Sequence, residues 1–301
     1  MLLFPPAAMN VSLGAFLVVL ASSVCWAGVD TARKLLAGRV RPVPLIVWMT
    51  LAAVPPFGVW LAREGMPVVG PGYWMPALFS LALNVFSNLA FVHALRLSPL
   101  SVTVPLLSLT PVFTALLGIP LLGERPAPLQ LFGILLVVAG AFALHWPARD
   151  PATADAGAGK RRLDRGALWA VSVAFCWSLT IPLDKLAVES SNAPFHAAAL
   201  CAGVGLVVLA ALAAQGRLRE LDDIRKARGA FALALGGSVL ALALQFIAFQ
   251  LVWVSFIETI KRSVGNLSAL LMGRVLFGEP VTPRKILALL LMAAGVAMVV
   301  R

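Results

Sequence analysis

The stretch SFIETIKRSVGNLS, residues 255–268, opens an apolar segment that continues to Phe277. About 20 residues of helix cross the hydrocarbon core of a bilayer, and this segment is long enough to do so. Its first third nevertheless carries Glu258, Lys261 and Arg262. A charge at that depth costs several kcal/mol unless it is paired or faces a polar cavity, so an ionisable cluster inside a span points to function. At about 100° per residue, Glu258, Lys261, Arg262, Gly265 and Ala269 share one face, with Phe256, Ile260, Leu267 and Leu271 behind them. The segment reads as a helix with a charged front and an apolar back.

The rest of the chain has the composition such a helix requires. Hydrophobic residues make up 60% and charged residues 12%, with a mean hydropathy of +0.94. Soluble domains carry about 25% charged residues, so the chain is an integral membrane protein. Its apolar runs are continuous rather than alternating, which excludes the strands of an outer-membrane barrel and makes the spans helical. The net charge of +11 would suggest nucleic acid in a soluble protein. Here the basic residues fall mainly in short loops, where they act as orientation signals, and no nucleic-acid partner is expected. The N-terminus lacks the Lys or Arg that precedes the apolar core of a cleaved signal peptide, so the first segment is expected to remain as a helix. Cys25, Cys176 and Cys201 all lie inside apolar runs and offer no disulfide or metal spacing.

Ten spans are expected, at 11–30, 43–62, 73–95, 99–121, 128–146, 166–186, 194–214, 229–252, 255–277 and 283–300. The long connection contains PATADAGAGKRR and reads as a flexible linker. It divides the chain into a first half, 1–147, a linker, 148–164, and a second half, 165–301. The halves resemble each other. Leu121, Gly123, Glu124, Pro128 and Gly140 recur at one constant offset as Leu276, Gly278, Glu279, Pro283 and Gly295. Cys25, Trp26 and Lys34 recur at another as Cys176, Trp177 and Lys185. Five helices per half make the second copy enter the membrane in the opposite sense, the inverted repeat of many secondary transporters. The fold class is therefore an all-α integral membrane protein, ten helices in two inverted five-helix repeats. Of the 24 Lys and Arg residues, most fall in the connections 1–2, 3–4, 5–6, 7–8 and 9–10. Only Arg63, Arg125, Lys185 and Arg301 lie on the other side. The positive-inside rule then places both termini outside.

This pattern resembles the drug/metabolite transporter superfamily, in particular its EamA-type members. The resemblance rests on the repeat-closing Leu-x-Gly-Glu-x-x-x-Pro in both halves and on Trp26/Lys34 and Trp177/Lys185, and it covers nearly the whole chain. It implies a multi-pass carrier of the cell inner membrane that alternates access around a central substrate. It also implies termini on the side opposite to the one given by the charge count. The adjacent Lys261 and Arg262 resemble the Lys-Arg pair with which plastid phosphate translocators hold a phosphate group in the same helix.

Candidate site residues follow from polarity within spans. Lys261 and Arg262 would capture a carboxylate or phosphate, Arg as a planar fork and Lys as a point charge. The alternative is an internal pair with Glu258, which neutralises only one of the two. Glu258 is either a structural counter-ion or a proton carrier. Asn88, His93, Gln245 and Gln250 are interhelical hydrogen-bonding groups or cavity lining, and Trp26 and Trp177 are aromatic walls or packing. Thr103, Pro105, Ser108, Thr110 and Pro111 interrupt the fourth span opposite the ninth, as paired broken helices do around transporter sites. Lys34, Lys185 and Arg274 are expected to snorkel to headgroups. Glu124 and Glu279 are expected to sit at the positive ends of the helices that follow them.

No Gly-rich phosphate loop with Gly-Lys-Ser/Thr and no metal-spaced cluster is present in the sequence. Neither ATP hydrolysis, a cofactor nor a metal is expected. The expected function is secondary transport of a small anionic or zwitterionic metabolite, coupled to protons at Glu258 or run as an exchange. The expected partners are that substrate and the lipid bilayer, and a homodimer is compatible with the sequence. A lipid-processing membrane enzyme and a non-transporting scaffold are the competing classes.

Overall fold

The computed structural model describes residues 11–37, 40–97, 106–145, 165–277 and 281–300. The linker 148–164, Ser98, Thr103, Pro105, Gly278 and Glu279 lie outside these, as does the side chain of Lys34. Among the described residues every regular element is helical. In chain order they are α1 (Leu13–Ala37), α2 (Pro42–Leu51), α3 (Val54–Glu64), α4 (Trp74–Leu97), α5 (Thr110–Leu122), α6 (Pro128–His145), α7 (Arg165–Glu189) and α8 (Ala193–Ala214). A charged 3-10 segment (Leu218–Ala227) follows, then α9 (Arg228–Phe249), α10 (Val254–Phe277) and α11 (Pro283–Val300).

Seven spans among the described residues are long and apolar enough to cross a membrane, with α2 and α3 together forming one of them, Pro42–Glu64. The break between α2 and α3 has a local cause. Pro55 and Pro56 have no amide hydrogen to give and are tolerated only in the first turn of a helix. The chain therefore turns at Ala52 and Ala53 and restarts at Val54. Helices α5 and α6 are shorter, and α10, though 24 residues long, carries Glu258, Lys261, Arg262 and Arg274. Large apolar side chains such as Leu168, Phe175, Leu206 and Leu290 stand exposed on the outer surface, which suits contact with lipid rather than water.

The packing order is regular. Helix α1 lies against α9 and α10, and α7 lies against α4 and α5. Helices α2 and α3 pack on α8, α5 packs on α10, and α6 packs on α11. The largest buried cluster gathers Phe246, Phe249, Phe256, Ile257 and Ile260 around the start of α10. At one end, Arg41 bonds Glu220 of the 3-10 segment at 2.8 Å and the Trp48 indole donates to the Leu221 carbonyl. At the opposite end, the Gly70 amide donates to the Ser190 carbonyl and the Asn192 amide group to the Gly65 carbonyl. There Asn192 also caps α8, accepting from the Phe195 amide at 2.9 Å, with Pro194 in the first turn.

The α6–α11 crossing shows why its glycines are needed. A Cβ on Gly295 would lie 2.5 Å from the Gly133 carbonyl oxygen and 2.8 Å from Val137 Cγ2. One on Gly140 would lie 2.6 Å from Met292 Cγ and 2.8 Å from the Ala288 carbonyl oxygen. Small residues let apolar helices approach closely enough for dispersion to hold them where lipid removes the hydrophobic drive. Gly295→Leu should therefore lower the melting temperature in detergent sharply, and Gly295→Ala should cost about 1–3 kcal/mol by overpacking. Gly236→Ala, where an added Cβ meets nothing within 4 Å, should be neutral or stabilising by up to about 1 kcal/mol.

Candidate functional site

Helix α10 begins beneath a cap that comes from far away in the chain. The Val254 amide donates to Glu124 Oε1 at 2.9 Å. Glu124 follows Gly123, whose positive φ of 67° ends α5 in the left-handed region open to glycine. Gly118 has no side chain to obstruct it, and a Cβ there would meet Glu124 Oε2 at 3.0 Å. The carboxylate therefore folds back over α5 to reach α10. Lys185 of α7 completes the arrangement at 3.4 Å from Glu124 Oε1 and donates to the Val252 carbonyl. Burial pushes the Glu124 carboxyl above its ordinary range, against the opposing pull of Lys185 and the Val254 amide.

This corrects two expectations. Glu124 does not serve the helix that follows it but the positive end of α10. Lys185 does not snorkel, because it is largely enclosed and paired. Arg274, in the last turn of α10, is exposed.

One turn into α10 lies Glu258, 1% exposed. It is in direct contact with Lys261, and its Oε2 is 3.9 Å from Arg262 Nε. The two cations then diverge. Lys261 Nζ donates to Gln245 Oε1 of α9 at 3.4 Å and stands 5.9 Å from the Trp26 ring centre, within cation–π range. The Trp26 indole donates to the same Gln245 oxygen at 2.9 Å. Arg262 turns the other way and donates through Nε to Thr110 Oγ1 of α5 at 2.7 Å. The Ser178 hydroxyl of α7 donates to the Thr110 carbonyl at 3.1 Å. Lys261 and Arg262 keep about a fifth and a quarter of their side chains exposed, 20% and 24%, whereas Glu258 is enclosed. The trio Glu258, Lys261 and Arg262 sums to one positive charge.

The structure thus brings together Glu258, Lys261, Arg262, Gln245 and Trp26, and adds Thr110. The other candidates lie elsewhere. Asn88 donates to the Asn84 carbonyl of its own helix at 2.8 Å. His93 is exposed and sits edge-on to Trp169. Gln250 is exposed at the C-terminal end of α9. Trp177 packs on Phe91 in an apolar cluster. Among the described residues, no three His, Cys, Asp or Glu side chains are grouped to hold a metal ion.

A second polar cluster was not anticipated. Asp184 of α7 accepts from the Ser80 hydroxyl of α4 and lies 3.2 Å from His196 Nε2 of α8. The Tyr73 hydroxyl is 3.3 Å from His196 Nδ1. Tyr73, Ser80, Asp184 and His196 are all buried. The available signal was Asp184 itself, a carboxylate inside the sixth span.

The sequence matches the EamA-like transporter family over residues 13–146 and again over residues 164–301. The chain is a multi-pass membrane protein and belongs to that family. A solved crystal structure of a protein 20% identical in sequence superposes with a TM-score of 0.73, covering 95% of this chain and 96% of the other. That likeness concerns the fold. No curated protein matches.

The cap on α10 has a direct test. Glu124→Gln retains an oxygen that can accept from the Val254 amide but not the charge that pairs with Lys185, and should lose less stability than Glu124→Ala. Glu124→Ala should lose about 1–2 kcal/mol, the usual cost of removing an N-terminal cap. Thermal unfolding of the purified variants in detergent reads the difference.

Proposed function

We propose that this chain is a secondary carrier that alternates access to a small anionic or zwitterionic metabolite, with Lys261 and Arg262 neutralising its acid group. One observation carries the reading. Two partly exposed cations share a single buried carboxylate inside the apolar helical array and reach opposite sets of helices, Lys261 toward α1 and α9 and Arg262 toward α5 and α7. An anion bridging them would balance the excess charge and tie α10 to both sets at once. Gln245, Trp26 and Thr110 then shape the pocket. Asn88, His93, Gln250 and Trp177 contribute only where access changes bring them inward. Coupling runs either through a proton or through exchange against a second metabolite.

The inverted ten-helix repeat belongs to the same proposal. Two separate matches to one family, one per half, support it. So does the packing order, in which α1 stands to α9 and α10 as α7 stands to α4 and α5. The α6–α11 crossing adds reciprocity, since Gly140 meets Met292 and Ala288 while Gly295 meets Val137 and Gly133. Those partners are related by the same sequence offset as the two glycines.

Proteoliposomes loaded with organic acids, amino acids or sugar phosphates test the carrier. For a transported substrate, Lys261→Ala and Arg262→Ala should each raise the half-saturation concentration about tenfold or more, the worth of a charged hydrogen bond. Equal exchange by wild type and both variants would refute the anion site.

The loops joining at Arg41 and the 3-10 segment are taken as cytoplasmic, which puts the termini outside in an inner membrane. A reporter active only in the cytoplasm, fused after Arg301, should then be silent. Activity would reverse the orientation.

A further inference from the structure

The buried cluster at the far end of α7 has no place in the anion site, yet it contains the groups needed to hold a proton. Asp184 is 5% exposed and His196 1%. Their neighbours come from every element packed around them. Helix α4 supplies Ser80 and, behind it, Asn84, whose side-chain amide donates to Ser80 Oγ at 3.1 Å. Helix α8 supplies Cys201, which lies within the electrostatic reach of Asp184. The α3–α4 connection supplies Tyr73, and α9 presents the apolar Phe246 ring, 5.3 Å from the His196 ring. Lys185 is next to Asp184 in sequence but turns away to Glu124. Among the described residues, His196 is therefore the one basic group that pairs with Asp184.

Counting protons over the pair defines its states. With one dissociable proton shared between carboxylate and imidazole beyond the neutral ring, the pair is electrically neutral. Without it, the pair is a buried carboxylate beside a neutral histidine, and the charge must be borne by the Ser80 and His196 hydrogen bonds alone. A low-dielectric site makes these states differ in the electrostatic forces on α4, α7 and α8. The two ring nitrogens of His196 face different partners, Asp184 through Nε2 and Tyr73 through Nδ1, so a proton can pass across the ring. Burial, and then the charge of Asp184, push the Tyr73 phenol up to about 12, so Tyr73 remains a neutral hydroxyl against His196 Nδ1. From Ser80 the polar file continues through Asn84 to Asn88, whose amide donates to the Asn84 carbonyl.

We propose that Asp184 and His196 form a buried single-proton site, loaded past Tyr73, and that its occupancy couples protons to the carrier. The coupling rests on the transport reading above. The proton site does not, since it stands on the pairing geometry alone.

Infrared difference spectra of the purified protein in lipid, stepped from neutral to acidic pH, test the site without any substrate. Because Glu124 and the other carboxyls protonate in both proteins, the readout is the wild-type spectrum minus that of Asp184→Asn, which should retain one protonated-carboxyl component as the pH falls. Ser80→Ala removes a donor to the carboxylate and His196→Gln removes the basic ring that shares its proton, so the component should appear at higher pH in both. A wild-type minus Asp184→Asn spectrum with no protonated-carboxyl component, or midpoints unmoved in His196→Gln and Ser80→Ala, overturns the site. These two variants keep the test decisive should Asp184→Asn not fold. For the coupling, Asp184→Asn and His196→Gln should retain substrate-for-substrate exchange but lose uphill uptake driven by a pH gradient. Undiminished uphill uptake overturns the coupling. Failure of the carrier reading would show instead as wild-type liposomes that exchange none of the compounds offered.

Discussion

Each ionisable side chain buried among these helices must have a partner, because the apolar surroundings offer no water to solvate it. That constraint organises the structure. Glu258 is met by Lys261 and Arg262, Glu124 by Lys185 and the amide of Val254, and Asp184 by His196 and Ser80. Two of these sets join elements distant in sequence, so satisfying the charges also fixes which helices meet. The third is local to α10 in its ion pairs but extends outward through Gln245 and Thr110.

The three sets divide the labour of a membrane carrier in the proposed reading. Glu124 and Lys185 anchor the start of α10 and so set the depth of Glu258, one turn further on. The α10 cations supply attraction for an acid group. Asp184 and His196, at the same end of the bundle as the α10 cap, supply a group whose charge can change with the aqueous phase. Close packing at α6–α11 is a different kind of element, held by the fit of small residues and closed at one end by the Arg284 guanidinium donating to the Ala143 carbonyl.

The two cations also illustrate how neighbours in sequence acquire different roles. Lys261 and Arg262 are one residue apart and therefore about 100° apart around the helix. A single helix consequently addresses two sets of partners. A lysine suits the Gln245 and Trp26 side because a compact ammonium can meet an amide oxygen and an aromatic face together. An arginine suits Thr110 because its fork retains further donors after one is used.

The sequence alone determined the membrane class, its helical character, the family and the charged face of α10, because each depends on composition or on spacing along one chain. It also pointed to Gln245 and Trp26, polar or amphipathic groups within apolar runs, which the structure places beside Lys261. It did not determine partners. Whether Asn88, His93, Gln250 and Trp177 join Lys261 depends on helix rotation and on the neighbour each face meets, and the tertiary structure directs them to other surroundings. The same holds for Glu124, whose local position at a helix start suggested one role while Gly123 and Gly118 allowed it to cap a helix 130 residues away. Asp184, His196, Ser80 and Tyr73 are scattered over four stretches of the chain. Only folding brings them within hydrogen-bond range, because no periodicity within one helix encodes a contact between several.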